Sequence, residues 1–169
     1  MATSTTNYSA NTTITISLAS LASSGTFVAG RESDQIDNTT NKYNDVLVQG
    51  KVTVGTTPTS NTSINIYVWG SHTSLVTTTI DALDGVDSAE TLTNTGVLQS
   101  ALRFGSIINV LVATSDITYD FAPFSVAALF GGVMPKFWGI YVSHNTVAAL
   151  NATAGNHVFT FNGIKTDII

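Results

Sequence analysis

Residues 45–54 read Asp45-Val-Leu-Val-Gln-Gly50-Lys-Val-Thr-Val54, and their alternation decides the fold. In an extended chain successive side chains point to opposite faces, so Val46, Val48, Gly50, Val52 and Val54 share one face. β-branched residues at these positions favour a strand, and Gly55 and Pro58 end it. Gly50 marks the place for a β-bulge or a close backbone approach. The next segment follows the same rule. Ile64, Ile66 and Val68 face one way, while Asn65, Tyr67 and Trp69 face the other. Large apolar groups on both faces predict a strand covered on both sides, by a neighbouring subunit or by a loop of the same chain.

Outward from this pair, further strands are expected at Ile107–Ala113, Ile117–Phe121, Phe124–Phe130, Phe137–Val142 and His157–Phe161. On the fourth of these, Trp138, Ile140 and Val142 share a face; on the last, His157, Phe159 and Phe161 do. Asp81 to Phe104 is the least strand-like stretch, a long connection with a short helix around Val97–Leu102. Toward the start, Ile14, Ile16 and Leu18 alternate as in a strand, whereas Leu18, Leu21 and Ala22 fit one helical turn between Ser17 and Gly25. Residues 1–13 are rich in Ser, Thr and Asn and read as a polar N-terminal arm. The expectation is an all-β protein: one domain over residues 14–169, an antiparallel two-sheet sandwich of about eight strands with jelly-roll topology and one or two short helical turns. No repeat at a period of 20–50 residues points to a propeller or solenoid.

Composition narrows the function. A chain of 169 residues suits one domain able to bury its own core. It has no cysteine, which removes thiolate zinc sites, iron–sulfur clusters and cysteine nucleophiles. Only 10% of residues are charged, against roughly a quarter on average. The six cations Arg31, Lys42, Lys51, Arg103, Lys136 and Lys165 are scattered singly. Nucleic-acid binders cluster such charges, so no nucleic-acid partner is expected. Thr, Ser and Asn supply the solvated surface instead. The stretch around Ile14–Ala22 lacks the cationic lead-in of a signal peptide, because the first basic residue is Arg31. The apolar region Phe121–Pro135 is broken by Pro123, Ser125 and Gly131–Gly132, so no membrane span is expected.

Chemistry is sparse. Asp81, Asp84, Asp87 and Glu90 form an acidic run, but their order departs from the loop in which alternate acidic residues converge on calcium. It reads as a solvated loop. His72, His144 and His157 lie in separate segments without metal-ligand spacing. His157 is expected on a half-buried strand face, and His144 at a turn made by Asn145. No Gly-x-Ser-x-Gly elbow singles out a serine, and Glu32 and Glu90, the only glutamates, make no recognisable pair with nine aspartates. No catalytic residue, metal or cofactor is expected, and the chain reads as a protein that binds or builds rather than an enzyme. Sequons at Asn7, Asn11, Asn38, Asn61 and Asn151 follow from the Asn- and Thr-rich composition.

Several local patterns also fall in a familiar order: Gly30-Arg31-Glu32-Ser33, Asn38, Asp45-Val-Leu-Val-Gln-Gly50-Lys51, Gly55-Thr-Thr-Pro58-Thr-Ser-Asn61, Leu129-Phe-Gly-Gly-Val-Met-Pro135, Trp138-Gly-Ile-Tyr-Val-Ser-His144-Asn-Thr and Ala149-Leu-Asn-Ala-Thr-Ala-Gly155-Asn. Over about residues 25–160 the ensemble resembles small β-sandwich structural proteins of tailed-phage virions, of the head decoration (cement) type. The resemblance implies a virion component, made in the host cytoplasm, that binds the capsid exterior. Its partners would be a major capsid protein or another virion protein, and it would associate as a homotrimer. Tyr67, Trp69, Phe137 and Tyr141 are the candidates for subunit contacts. The alternative is a carbohydrate-binding module of a tail or receptor-binding apparatus, with Tyr67, Trp69 and the acidic loop as its site.

Overall fold

The computed structural model describes residues 3–168. The chain forms β1 (Ser4–Tyr8), β2 (Thr12–Thr13), β3 (Ala29–Glu32), β4 (Ile36–Asp37), β5 (Asp45–Thr53), β6 (Thr62–Ser71), β7 (Ala89–Thr91), helix α1 (Thr95–Ala101), β8 (Arg103–Val110), β9 (Thr118–Ser125), helix α2 (Val126–Leu129), β10 (Phe137–His144) and β11 (Val158–Ile168). Every strand pairing is antiparallel. The first sheet runs β1-β11-β5-β9, with β2 also on β11; the second runs β7-β3-β10-β6-β8, with β4 also on β10. The protein is an all-β, two-sheet antiparallel sandwich.

The alternation in residues 45–54 works as the sequence predicts. Val46, Val48, Val52 and Val54 are fully buried between the sheets, against Ile64, Ile66 and Val68 of β6 and Trp138, Ile140 and Val142 of β10. Phe121, Phe159 and Phe161 complete this inner cluster, with Phe161 edge-on to Trp138. Each such side chain contributes roughly 1.5–3 kcal/mol by leaving water. The register between β5 and β9 shifts between Val48 and Gly50, so the bulge falls where the glycine marked it.

Four segments differ from expectation, each for a local reason. The run Phe124–Phe130 is not a strand: β9 stops at Ser125, and Val126–Leu129 turns into α2. Ser125 Oγ accepts the Ala128 N–H, and Asp45 accepts both the Ser125 hydroxyl and the Ala127 N–H, so capping chemistry overrides an apolar run. The strand expected at Ile107–Ala113 begins earlier, at Arg103, and ends at Val110. Ile14 to Leu18 form neither a strand nor a helical turn. Ile14 and Leu18 are buried as an irregular segment, tied by the Ile14 N–H to the Phe159 carbonyl. Within the polar arm, Ser4–Tyr8 pair with Ile164–Ile168, which lengthens β11 well past Phe161. Met1 and Ala2 lie outside the described residues. Among the described residues no helix is long and apolar enough to cross a membrane.

Candidate functional site: a carboxylate cluster under a strap

The second sheet has a further apolar face, turned away from the sandwich interior. Trp69, Tyr141, Leu75, Leu83, Leu92, Leu98 and Leu102 are buried there, with Tyr67 and Phe137 packed beside them. The leucines arrive from the irregular strap 72–92 and from α1. Trp69 lies over Gly139 of the neighbouring strand, where any side chain would collide with the indole. Tyr67 stands between Phe104, at 5.5 Å, and Tyr141, at 6.4 Å between ring centroids.

This corrects the reading of Trp69 and Tyr141, two of the four aromatics, as subunit contacts. Trp69 and Tyr141 expose none of their surface, and Tyr67 and Phe137 are half-buried in the same cluster. The structure brings all four together, as the filling beneath a covering loop of their own chain. A second subunit, or a sugar, would reach Trp69 and Tyr141 only with the strap lifted, whereas Tyr67 and Phe137 keep part of their surface exposed.

Side chains from β3 and the residues after it hold the strap down. Both oxygens of Glu32 accept backbone N–H groups from it, one from Asp84 at 2.9 Å and one from Gly85 at 3.0 Å. Gly85 has φ +80°, a conformation that favours glycine. Gln35 Oε1 accepts the Leu75 N–H, and its Nε2 donates to Ser74. Asp34 accepts the Asp87 N–H. Asp87 in turn accepts from Arg31 Nε at 2.6 Å, the single ion pair among the described residues, and from the Ser17 hydroxyl and N–H. Burial works to raise the Asp87 carboxyl, but Arg31 and Ser17 together hold it below the usual range.

The acidic run therefore does not act as one solvated loop. Asp81 caps Thr93 through its N–H and hydroxyl, both at 2.7 Å. Asp87 takes the ion pair. Asp84 and Glu90 turn toward Glu32, and the oxygens of these three carboxylates lie within 4.8 Å of one another. Glu32 is wholly buried. Burial pushes its carboxyl up to about 7; the two N–H bonds oppose that rise, while the Asp84 and Glu90 charges add to it. Tyr141, on the adjacent strand, is held above the usual phenol range by burial and then by Glu90, Tyr67 and Glu32. Nothing in the residue pattern signals this meeting. Glu32 and Glu90 are 58 residues apart, and only the pairing of Gly30 with Glu90 between β3 and β7 brings them together.

The histidines are structural in their placement. His144 is buried at the end of β10 rather than at a turn surface. Its Nε2–H donates to the Leu21 carbonyl at 3.0 Å, and its Nδ1 lies 2.8 Å from the Thr146 hydroxyl. His157 precedes β11; its Nδ1 accepts the Thr53 N–H, and its Nε2–H donates to the Asn151 carbonyl. Burial lowers the pKa of both below the ordinary value, against the carbonyl bonds. His72 is exposed in the strap.

One surface region stands apart from this polar skin. β8 is an edge strand of the second sheet, paired only with β6. Phe104 and Ile107 on it, and Leu111 and Val112 just beyond, are all 45% exposed or more, with Arg103 the one charge among these ten residues. No family model, curated protein or solved structure matches the chain.

Proposed function

We propose that this chain is a structural component of a tailed-phage particle, a capsid decoration protein that binds and stabilises the head shell. The observation that carries the reading is the β8 edge. Natural edge strands are blunted by charge, proline or cover, because unpaired N–H and C=O groups invite another chain. β8 has a single charge at its start and no proline, and it leads into an exposed apolar row. Such a surface suits a protein partner rather than a small polar ligand. The resemblance of its motif order to virion sandwich proteins supports, as that partner, a major capsid protein or another virion protein, with this chain as a trimer on the capsid exterior. Attachment would rest on modest contacts multiplied by lattice symmetry.

The test is co-sedimentation with particles, electron microscopy of the decorated shell, and light scattering of the free protein. Phe104→Asp combined with Ile107→Asp should leave the fold intact, since both side chains are about half exposed, and should abolish attachment. A stable monomer that ignores capsids would overturn the proposal.

A further inference from the structure

We propose that Glu32, Asp84 and Glu90 form a proton-operated latch, which holds the 72–92 strap over the Trp69–Tyr141 cluster when one proton is shared among them and loosens it when that proton is lost. The device is independent of the proposed role in a virion.

The geometry supplies the parts. Glu32 joins β3 to the strap backbone through two N–H groups and does so from a wholly buried position, while Asp34 adds one bond to the Asp87 N–H. The groups facing it are Asp84 from the strap, Glu90 from β7 and the Tyr141 phenol from β10, with Tyr67 of β6 behind Tyr141. The cation on its own strand, Arg31, is committed to Asp87. Three carboxylates within 4.8 Å thus face one another without a cation among the described residues. Such a group settles by holding a proton, the acid of one donating to the oxygen of the next.

Ionisation acts in two directions at once. It strengthens the two N–H bonds from Asp84 and Gly85, and it places a charge without a cationic partner on a buried side chain beside two like charges. The second effect is the larger, which is why the Glu32 carboxyl is pushed up to about 7. The sign follows. The folded value lies above the ordinary glutamate value of 4.5, so the folded state holds the proton more tightly. The stabilisation is fully present below pH 4.5 and is lost as pH rises through about 7. What the loosened strap uncovers is apolar: Trp69, Tyr141 and the leucines that cover them.

Trp69 reports on the strap directly once Trp138, buried on the opposite face, is replaced by Phe. In Trp138→Phe, emission should shift to the red and acrylamide quenching should rise with a midpoint near pH 7. Glu32→Gln in that background should remove the step. Glu90→Gln or Asp84→Asn, which takes away a repelling charge, should move the step to lower pH. If Trp138→Phe or Glu32→Gln fails to fold, the same comparison runs in the wild type with Glu90→Gln. Unchanged quenching between pH 5 and pH 9 would overturn the latch, as would a step that survives Glu32→Gln. Suppression of the step by calcium, reversed by a chelator, would also overturn it, because the cluster would then be a cation site.

Discussion

The two apolar clusters on either side of the second sheet share the strands β6 and β10 and are closed in different ways. The inner one is roofed by another sheet. Its cover is a hydrogen-bonded ladder in which β5 pairs with β11 and β9 over most of its length. The outer one is roofed by largely irregular chain, fastened by the side chains of Glu32, Asp34, Gln35 and Asp87 and, at its end, by the short pairing of β7 with β3. A ladder resists opening one residue at a time, and its backbone hydrogen bonds themselves carry no titratable group. A strap held by carboxylates opens as a unit, and its strength depends on their charge. Local stability therefore follows the kind of closure as much as the amount of buried surface.

Removing the two buried tryptophans in turn should separate the two closures most strongly. Trp138→Ala empties a site walled by two sheets that cannot collapse, and should cost about 3–5 kcal/mol. Trp69→Ala removes the same side chain from under a strap that can settle into the space. It also removes an indole N–H that has no hydrogen-bond partner among the described residues. Its loss should be clearly the smaller of the two. Urea denaturation measures both, and equal midpoints would show the strap to be as rigid as the sheet.

The next effect is one of sign. His144 and His157 line the inner cluster and are held neutral by burial. Their folded pKa values lie below the ordinary 6.5, so the unfolded chain takes up protons first as pH falls. The stability they contribute is present above pH 6.5 and is lost below it. Glu32 does the reverse over pH 4.5 to about 7. The wild-type profile of urea midpoint against pH should thus be shallow in this window. Glu32→Gln should expose the histidines' fall toward acid, and His144→Gln with His157→Gln should expose Glu32's fall toward alkali. Profiles that move together in both variants would show that a single region governs the pH response.

The inner cluster was legible in the sequence and the outer one only in part, for the same physical reason. Strand alternation is a local signal with a period of two, so Val46 to Val54, Ile64 to Trp69 and Trp138 to Val142 could be assigned to faces directly. That Tyr67 and Trp69 needed cover was equally plain, but whether another subunit or a loop supplied it was not. The cover comes from scattered single leucines, Leu75, Leu83 and Leu92, with no period to read. Glu32 was less visible still. Its partners come from a strap more than fifty residues away, and a charge in the run Arg31-Glu32-Ser33-Asp34 looks like ordinary surface until the pairing of β3 with β7 is known. The short helix expected around Val97–Leu102 did form, as Thr95–Ala101, because Leu98 and Leu102 give it one apolar face.

That helix allows the finest test of the distinction. Asn94 caps it, its Oδ1 accepting the Val97 N–H at 3.1 Å. Asn94→Ala leaves that N–H without its side-chain partner and should cost about 1 kcal/mol. If the strap and α1 form a unit that opens apart from the sandwich, the cost will appear locally. Amide exchange should quicken across Thr95–Ala101 and at Asp84 and Gly85, while Val46 to Val54 keep their protection. If protection falls equally in β5, the inner and outer clusters open together. The strap would then be part of one cooperative structure rather than a separately fastened lid.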